Sequence, residues 1–185
     1  MVLITYTDVP TMRVYMGLNA STQFDTLLAE AITSASREVD KRTKRYFGKD
    51  AVLGLREFDC EGNGLLVIDD VADPYSMVLH GGIVTYTAYP RNGVVDNVPG
   101  NPTTYIKSCS FYEGYSYSVS AIWGWAEVPE NISEATKQLA AKTFLEKDAP
   151  FGVKGMDEFG SVRIRDPQHT ADLLQKYTRY NLGSM

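Results

Sequence analysis

Residues 118–137 decide the fold, and they read SVSAIWGWAEVPENISEATK. The alternation of small polar and apolar side chains before Trp123 predicts a β-strand with one solvated face. Gly124 lets the chain turn while Trp123 and Trp125 pack into the protein. Pro129 suits the start of a helix, because it lacks only a donor that the first turn leaves unpaired. The stretch therefore predicts a structural corner from strand to helix, made by Trp123, Gly124, Trp125 and Pro129.

Helical patterns lie on both sides of this corner along the chain. Apolar residues at spacings of three and four predict a long first helix over residues 21–47, which Gly48 ends. A second stripe predicts a helix from Pro129 to about residue 147. The Asp-Pro pair at 166–167 predicts the start of a C-terminal helix that runs to about residue 182.

The region between the first two helices has a β pattern. Short segments rich in Val, Ile, Thr and Tyr, at residues 65–68, 76–79, 83–89 and 116–122, are read as strands. Gly, Asn and Pro turns separate them, which predicts an antiparallel sheet or a small barrel. The expected fold class is α+β, with a small α-helical bundle made of the long first helix, the second helix and the C-terminal helix, and an inserted antiparallel β subdomain. The expected parts are an N-terminal arm (1–20), the bundle (21–50 with 128–185) and the β subdomain (51–127).

Composition excludes several classes of protein. The 44% hydrophobic and 22% charged residues are ordinary for a globular chain, and no apolar run is long enough to span a membrane. The first residues lack a basic segment before an apolar run, so we expect no signal peptide and a protein that stays in the cytoplasm where it is made. Cys60 and Cys109 are too few for a disulfide framework or a zinc site, and we expect reduced, semi-buried thiols. A net charge of −5 argues against a protein that grips nucleic acid.

The sequence gives no support for catalysis, a cofactor or a bound metal. Its two histidines, His80 and His169, lie in no metal-ligand or nucleophile pattern, so each is expected at the surface or at an interface. Asp69, Asp70 and Asp73 form the densest carboxylate cluster, but the spacing of a calcium-binding loop is missing. Capping of turns is the favoured interpretation of this cluster, and a small metal-dependent enzyme is a distant alternative.

Basic residues crowd the end of the first predicted helix. Because they fan around the helix axis, only pairs such as Lys41 and Arg45 share a face. A solvated helix face is the plain interpretation, since cations favour the negative end of a helix dipole. Contact with a neighbouring subunit is the main alternative, and contact with DNA is a lesser one. The subunit-interface candidates are Arg37, Lys41, Arg42, Lys44 and Arg45.

Tyrosine is unusually frequent, with 12 residues. Tyr105, Tyr112, Tyr115 and Tyr117 lie close together in β-patterned sequence. Such rings either line a carbohydrate- or protein-binding surface or fill a two-sided sheet, and the sequence leaves both interpretations open. A β-rich binding module on a helical scaffold is therefore the main alternative function.

The stretch 118–137 resembles the hallmark of the phage head–tail connector (adaptor) family, the portal-associated, ring-forming connectors of long-tailed bacteriophages. In that family a last strand ends in a Gly-Trp pair and a Val-Pro, and a helix beginning I-x-x-A follows. The matching residues here are Trp123, Gly124, Trp125, Val128, Pro129, Ile132 and Ala135. Residues 32–47 are similar to the family's opening helix, and residues 65–70 and 80–82 resemble the β insertion of its longer members.

The resemblance implies a structural role in the virion, at the head–tail interface, after synthesis in the host cytoplasm. Family members form homo-oligomeric rings, commonly of twelve subunits, and are often monomeric before assembly. The implied partners are the portal and a head-closure or tail protein, with no membrane. Double-stranded DNA passes through the ring's channel without sequence-specific binding. The C-terminal segment is the implied portal-docking element, with Leu173, Leu174, Tyr177 and Tyr180 as candidates.

Overall fold

The computed structural model describes residues 4–18, 22–82, 85–95, 99–146 and 167–179. The fold class is α+β. The helices are α1 (Val9–Tyr15), α2 (Asp25–Thr43), α3 (Glu130–Glu146) and α4 (Pro167–Gln175). The strands are β1 (Gly54–Asp59), β2 (Leu65–Val71), β3 (Val78–Leu79), β4 (Thr87–Tyr89), β5 (Thr103–Lys107) and β6 (Ser116–Ala121). The described residues within 4–45 and 128–180 form one compact unit, the helical unit, and those within 46–127 form a second, the β unit.

The helical unit has its own apolar core. α2 and α3 bury the stripes that the sequence predicts, and the ring of Phe144 meets that of Phe24 edge-on at 5.7 Å. A buried side-chain hydrogen bond joins α4 to α3, in which Thr170 Oγ1 donates to Gln138 Oε1 over 2.8 Å. Because both groups are satisfied, α4 packs on α3 without leaving them unpaired in the core.

The segment expected to be an N-terminal arm contains a helix that packs into this core. The Asp8 side chain accepts from the backbone N–H of Thr11 and caps α1. Met12 and Met16, one turn apart, are buried in the core of the helical unit. The short length of α1 explains why a search for long apolar stripes does not predict it.

α2 is shorter than the predicted helix over residues 21–47. Lys44 has a left-handed backbone (φ 55°, ψ 33°), which ends α2 at Thr43. Phe47 is instead buried in the β unit, and the carbonyl of Gly48 accepts from the N–H of Trp125. Gly48, the residue expected to end the helix, therefore lies in the β unit. α4 also ends early, at Gln175, and residues 180–182 of its predicted span lie outside the described residues.

The described strands of the β unit form two three-stranded antiparallel sheets, ordered β1-β6-β3 and β2-β5-β4. Leu66, Ile68, Ile106 and Val119 are fully buried within the core of the unit. β2 and β6 match predicted strands closely. β1 and β5 are strands that the sequence interpretation did not identify, and the predicted strand from residue 83 shortens to β4, with residues 83–84 outside the described part.

Candidate functional site

Some of the basic residues at the end of α2 make contacts within the helical unit, and others are exposed. Lys41, Arg42 and Lys44 are exposed, whereas Arg37 and Arg45 are half-buried. Arg42 pairs with Glu38 one turn away, at 2.7 Å between Nε and Oε1. No ion pair joins Lys41 or Lys44 to a residue that the structure describes. Lys41 and Lys44 are therefore exposed cations without an ion-pair partner in the described part of the chain.

Arg37 has a structural role inside the helical unit. Its Nη2 donates to the carbonyl of Ile4 over 2.6 Å, and its Nη1 lies 2.9 Å from Oδ2 of Asp40. The hydroxyl of Tyr6 donates to Asp40, and the Arg37 guanidinium lies 5.8 Å from the Tyr6 ring centre. Burial raises the pKa of Asp40, while the Tyr6 hydrogen bond and the Arg37 charge lower it less. Arg37 therefore holds the N-terminal segment on α2 and is not a free interface cation.

Of the four expected portal-docking residues, two are buried, one is half-buried and one lies outside the described residues. Leu174 and Tyr177 are only 3% and 9% exposed, so they do not lie on the surface. Burial raises the pKa of the Tyr177 hydroxyl, and a hydrogen bond with Asn131 lowers it less. Leu173 is half-buried, and Tyr180 lies outside the described residues. In this arrangement Leu174 and Tyr177 stabilise the helical unit, so a docking surface on α4 would need its other faces.

The chain after α4 also reaches the end of α2. The N–H of Arg179 donates to the carbonyl of Thr43 over 2.8 Å. That carbonyl belongs to the last turn of α2, where carbonyls lack partners within the helix. The C-terminal segment therefore completes the end of α2 at its basic residues.

Trp123, Gly124 and Trp125 hold two other segments of the β unit together. Gly124 has a φ of +107°, and its N–H donates to the carbonyl of Asp70 over 2.6 Å. A Cβ at Gly124 would lie 1.8 Å from the carbonyl oxygen of Gly48. Only glycine permits this approach, because it has no Cβ and adopts positive φ without a steric penalty. The turn is therefore built on glycine at this position.

Both indoles are buried and hydrogen-bonded. Trp123 Nε1 donates to the carbonyl of Gly54 over 2.6 Å, and the Arg56 guanidinium lies 4.6 Å from the ring centre. Trp125 Nε1 donates to Oδ2 of Asp70 over 2.9 Å. Neither ring is presented as a ligand platform. In the helical unit, Pro129 precedes α3, and its carbonyl accepts from the N–H groups of Ile132 and Ser133.

The three clustered carboxylates are used structurally. Asp69 pairs with Arg56 at 2.7 Å, and Asp70 receives the Trp125 indole. Asp73 accepts from the N–H of Tyr75 over 2.9 Å and caps a short 3₁₀ turn. Among the residues that the structure describes, no group of three or more His, Cys, Asp or Glu could hold a metal ion. This part of the chain also contains no helix with the length and apolar character needed to cross a membrane.

Of the histidines, cysteines and tyrosines noted in the sequence, some lie at the surface and others are buried. His80 and His169 are exposed, and His80 Nε2 lies 2.8 Å from the Ser120 hydroxyl. Cys60 is buried, whereas Cys109 is exposed, so the expectation that both thiols are semi-buried is wrong for Cys109. The tyrosines divide in the same way. Tyr105 stacks on Tyr89 at 4.9 Å, and Tyr117 meets Phe111 edge-on at 4.8 Å.

Tyr112 and Tyr115 form an exposed aromatic pair. They are 64% and 65% exposed, and their ring centres lie 6.3 Å apart. Both flank Gly114, which has a positive φ of 78°. Two exposed rings at this spacing offer a surface for a planar or apolar ligand.

The structure reveals one surface that the sequence interpretation missed. On the outward face of the sheet β1-β6-β3, Leu55 and Val78 both lie beside Ser120. They are 66% and 51% exposed. Further along β1, the exposed Glu57 and Asp59 lie on the same face. In sequence β1 reads GLREFD, in which apolar and charged residues do not alternate, so the pattern predicts neither the strand nor its exposed face.

Comparison with known proteins identifies a shared fold. No protein-family model matches the chain, and no curated protein matches it in sequence. Among solved structures, the chain is similar to a chain in the neck of an empty GTA (gene transfer agent) particle, computed with C6 symmetry. The TM-score is 0.53 and the identity 16%, over 100% of this chain and 99% of that one. The chain shares its fold with this GTA neck chain.

A chain from the neck of a native GTA particle, computed with C12 symmetry, aligns over the same shares of the two chains. Its TM-score is 0.48 and its identity 15%. The first similarity is end to end, so it covers both the helical unit and the β unit. It identifies the fold, and the function is a separate inference.

Proposed function

We propose that this chain is a structural neck protein of a phage-like particle. The observation that carries the proposal is the end-to-end similarity to a GTA neck chain, in which nearly the whole of both chains aligns. The clustered carboxylates of Asp69, Asp70 and Asp73 make structural contacts. The described residues contain no cluster that could hold a metal. A protein of this kind acts by assembly and needs no catalytic group.

The finer proposal is a ring that connects the portal of the head to a tail or head-closure protein and continues the DNA channel. Each copy in a closed ring uses two different surfaces against its two neighbours. Exposed Lys41 and Lys44 supply a charged surface for such a contact. The net charge of −5 suits a channel past which DNA slides without tight binding.

The test is the assembly state of the purified chain, alone and with portal rings. Light scattering after size exclusion across a concentration series would measure the mass, and negative-stain microscopy would show the shape. We expect closed rings with an open centre, in the isolated chain or after portal is added, and a twelve-fold count would match the expected stoichiometry. A chain that remains monomeric and unbound in both conditions would contradict the proposal.

Portal docking through the C-terminal segment is a separate proposal. Removal of residues 166–185 should abolish attachment to portal rings. Because Leu174 and Tyr177 are buried, the truncation also exposes core surface, so circular dichroism must first show that the helical unit remains folded. A finer variant replaces half-buried Leu173 alone. Normal attachment of a folded truncation would exclude this docking route.

A second candidate function is favoured by the exposed Tyr112–Tyr115 pair. In a carbohydrate-binding module, such rings stack on sugar faces. A glycan array with the wild-type chain and with Tyr112→Ala would test it, and Tyr75→Ala is the control, since Tyr75 is exposed elsewhere in the β unit. A hit that only Tyr112→Ala abolishes would support this module over the ring.

A further inference from the structure

We propose that the outward face of the sheet β1-β6-β3 is the docking surface for the basic end of α2 from a second copy of this chain. This inference rests on the proposed ring, and it names the two surfaces that meet. The sheet face is defined by Leu55, Glu57, Asp59, Ser120 and Val78, and the helix face by Thr33, Ser34, Lys41 and Lys44.

The sheet face is open and has two different ends. At one end Leu55, Ser120 and Val78 make a row across all three strands, in which both apolar side chains are more than half exposed. At the other end Glu57 and Asp59 are exposed, and no ion pair joins either to a described residue. Such a face fits a partner helix that places small, weakly polar side chains on the apolar end and basic side chains on the carboxylate end.

Along the exposed side of α2, small and weakly polar side chains come first and basic side chains follow. Thr33 and Ser34 are small and exposed, and the Thr33 hydroxyl donates to the carbonyl of Ala29 over 2.8 Å. With its hydroxyl satisfied, Thr33 can present its methyl group to an apolar surface. Lys41 and Lys44 follow, without an ion pair to any residue in the described part of the chain. A helix with small side chains allows close approach to a flat sheet.

The spacings of the two faces also agree. Thr33 and Lys41 are eight residues apart on a helix, which is about 12 Å at a rise of roughly 1.5 Å per residue. Leu55 and Asp59 are four residues apart on a strand, which is about 13 Å at roughly 3.3 Å per residue. An α2 laid along β1 with Thr33 beside Leu55 therefore brings Lys41 to Asp59.

Charge supports a contact between copies of this chain in particular. Residues 46–127 contain ten Asp or Glu and four Lys or Arg, a net charge of −6, while the whole chain carries −5. The remainder is therefore +1, and its basic residues concentrate at the end of α2. Two copies arranged with one helix on the next sheet bring opposite charges together, and the pattern can repeat around a ring.

Disulfide trapping tests the contact directly. In a Cys109→Ser background, which removes the exposed thiol, Lys41→Cys and Asp59→Cys would be prepared on separate copies and mixed under mild oxidation. We expect the mixed dimer to form about tenfold faster than with Lys142→Cys in place of Lys41→Cys, because a disulfide needs Cα atoms within roughly 7 Å. Equal rates for the two pairs would overturn the inference.

Charge exchange gives an independent test. One variant carries Lys41→Glu with Lys44→Glu, and the other carries Glu57→Lys with Asp59→Lys. Each alone should lose self-association at least about tenfold, since like charges then face each other, and an equimolar mixture should recover it. Lys142→Glu with Lys176→Glu is the control, with the same charge change on other helices. If the control also loses self-association, or if the mixture does not recover it, the inference is overturned.

The results of these tests distinguish failure of the proposed contact from failure of the proposed ring. If wild-type rings form and neither trapping nor charge exchange has the expected effect, this contact is wrong and the neck function stands. If the chain forms no rings alone or with portal and no specific cross-link appears, both fail. If the isolated chain stays monomeric, trapping at high concentration still decides the contact, because it captures weak encounters.

Discussion

Replacing Gly124 with alanine would test the turn that connects three segments of the β unit. The new Cβ would lie 1.8 Å from the carbonyl oxygen of Gly48, a backbone atom that cannot rotate away. A non-glycine residue at a φ of +107° carries strain of about 1–3 kcal/mol. The displaced segment would also weaken the hydrogen bonds from Trp125 N to Gly48 O and from Asp50 N to Trp123 O, each worth about 1 kcal/mol. We expect an unfolding free energy lower by about 3–5 kcal/mol.

Urea denaturation followed by tryptophan fluorescence is the suitable assay. The chain has two tryptophans, Trp123 and Trp125, and both lie in the β unit, so the signal reports this unit. With a slope of about 2 kcal/mol per molar urea, the midpoint should fall by roughly 2 M. Gly114→Ala is the matched control, because Gly114 has a φ of 78° with no heavy atom within 4 Å of an added Cβ. If Gly124→Ala costs no more than Gly114→Ala, the steric argument is refuted.

Three further predictions concern single side chains. Trp125→Phe removes the indole donor to Asp70, which should cost about 1.5–3 kcal/mol of unfolding free energy, and a double-mutant cycle with Asp70→Asn that shows no coupling would contradict it. Leu174→Ala should cost the helical unit about 2–5 kcal/mol in thermal unfolding, clearly more than Leu173→Ala, and equal losses would contradict the burial of Leu174. Burial raises the pKa of Asp40 above its ordinary 3.8, so its contribution to stability is full below 3.8 and is lost as pH rises through the raised pKa. The stability of the wild type relative to Asp40→Asn should therefore increase as pH falls through that window, and a pH-independent difference would argue against the raised pKa.

The proposed contact between copies changes how the basic residues of α2 are understood. In sequence they form one charged run, but the structure divides them by their partners. Arg37 holds the N-terminal segment, and Arg42 pairs along its own helix. Lys41 and Lys44 keep exposed charges. An assembly that closes through such exposed charges should weaken as salt increases, because ions screen exposed pairs.

Periodicity in the sequence predicts the elements whose side chains repeat strongly. The apolar stripes of α2 and α3 and the alternation of β6 are local patterns, and the structure contains all three elements. The α+β fold class follows from the same patterns. α1, β1 and β5 have weaker local signals, and contacts with distant residues stabilise them. Met12 shows this, since it is buried in a core made largely by α2 and α3.

The sequence by itself determined the fold class, the order of the main elements and the position of the turn at Gly124. Those follow from local sterics and from periodic burial, which neighbouring residues fix. Only the tertiary structure decided that Lys44 ends α2, that Gly48 meets Gly124, and that Leu174 is buried. It also exposed the apolar row of Leu55 and Val78. These features depend on which distant segments pack together, and one chain's local pattern does not contain that information.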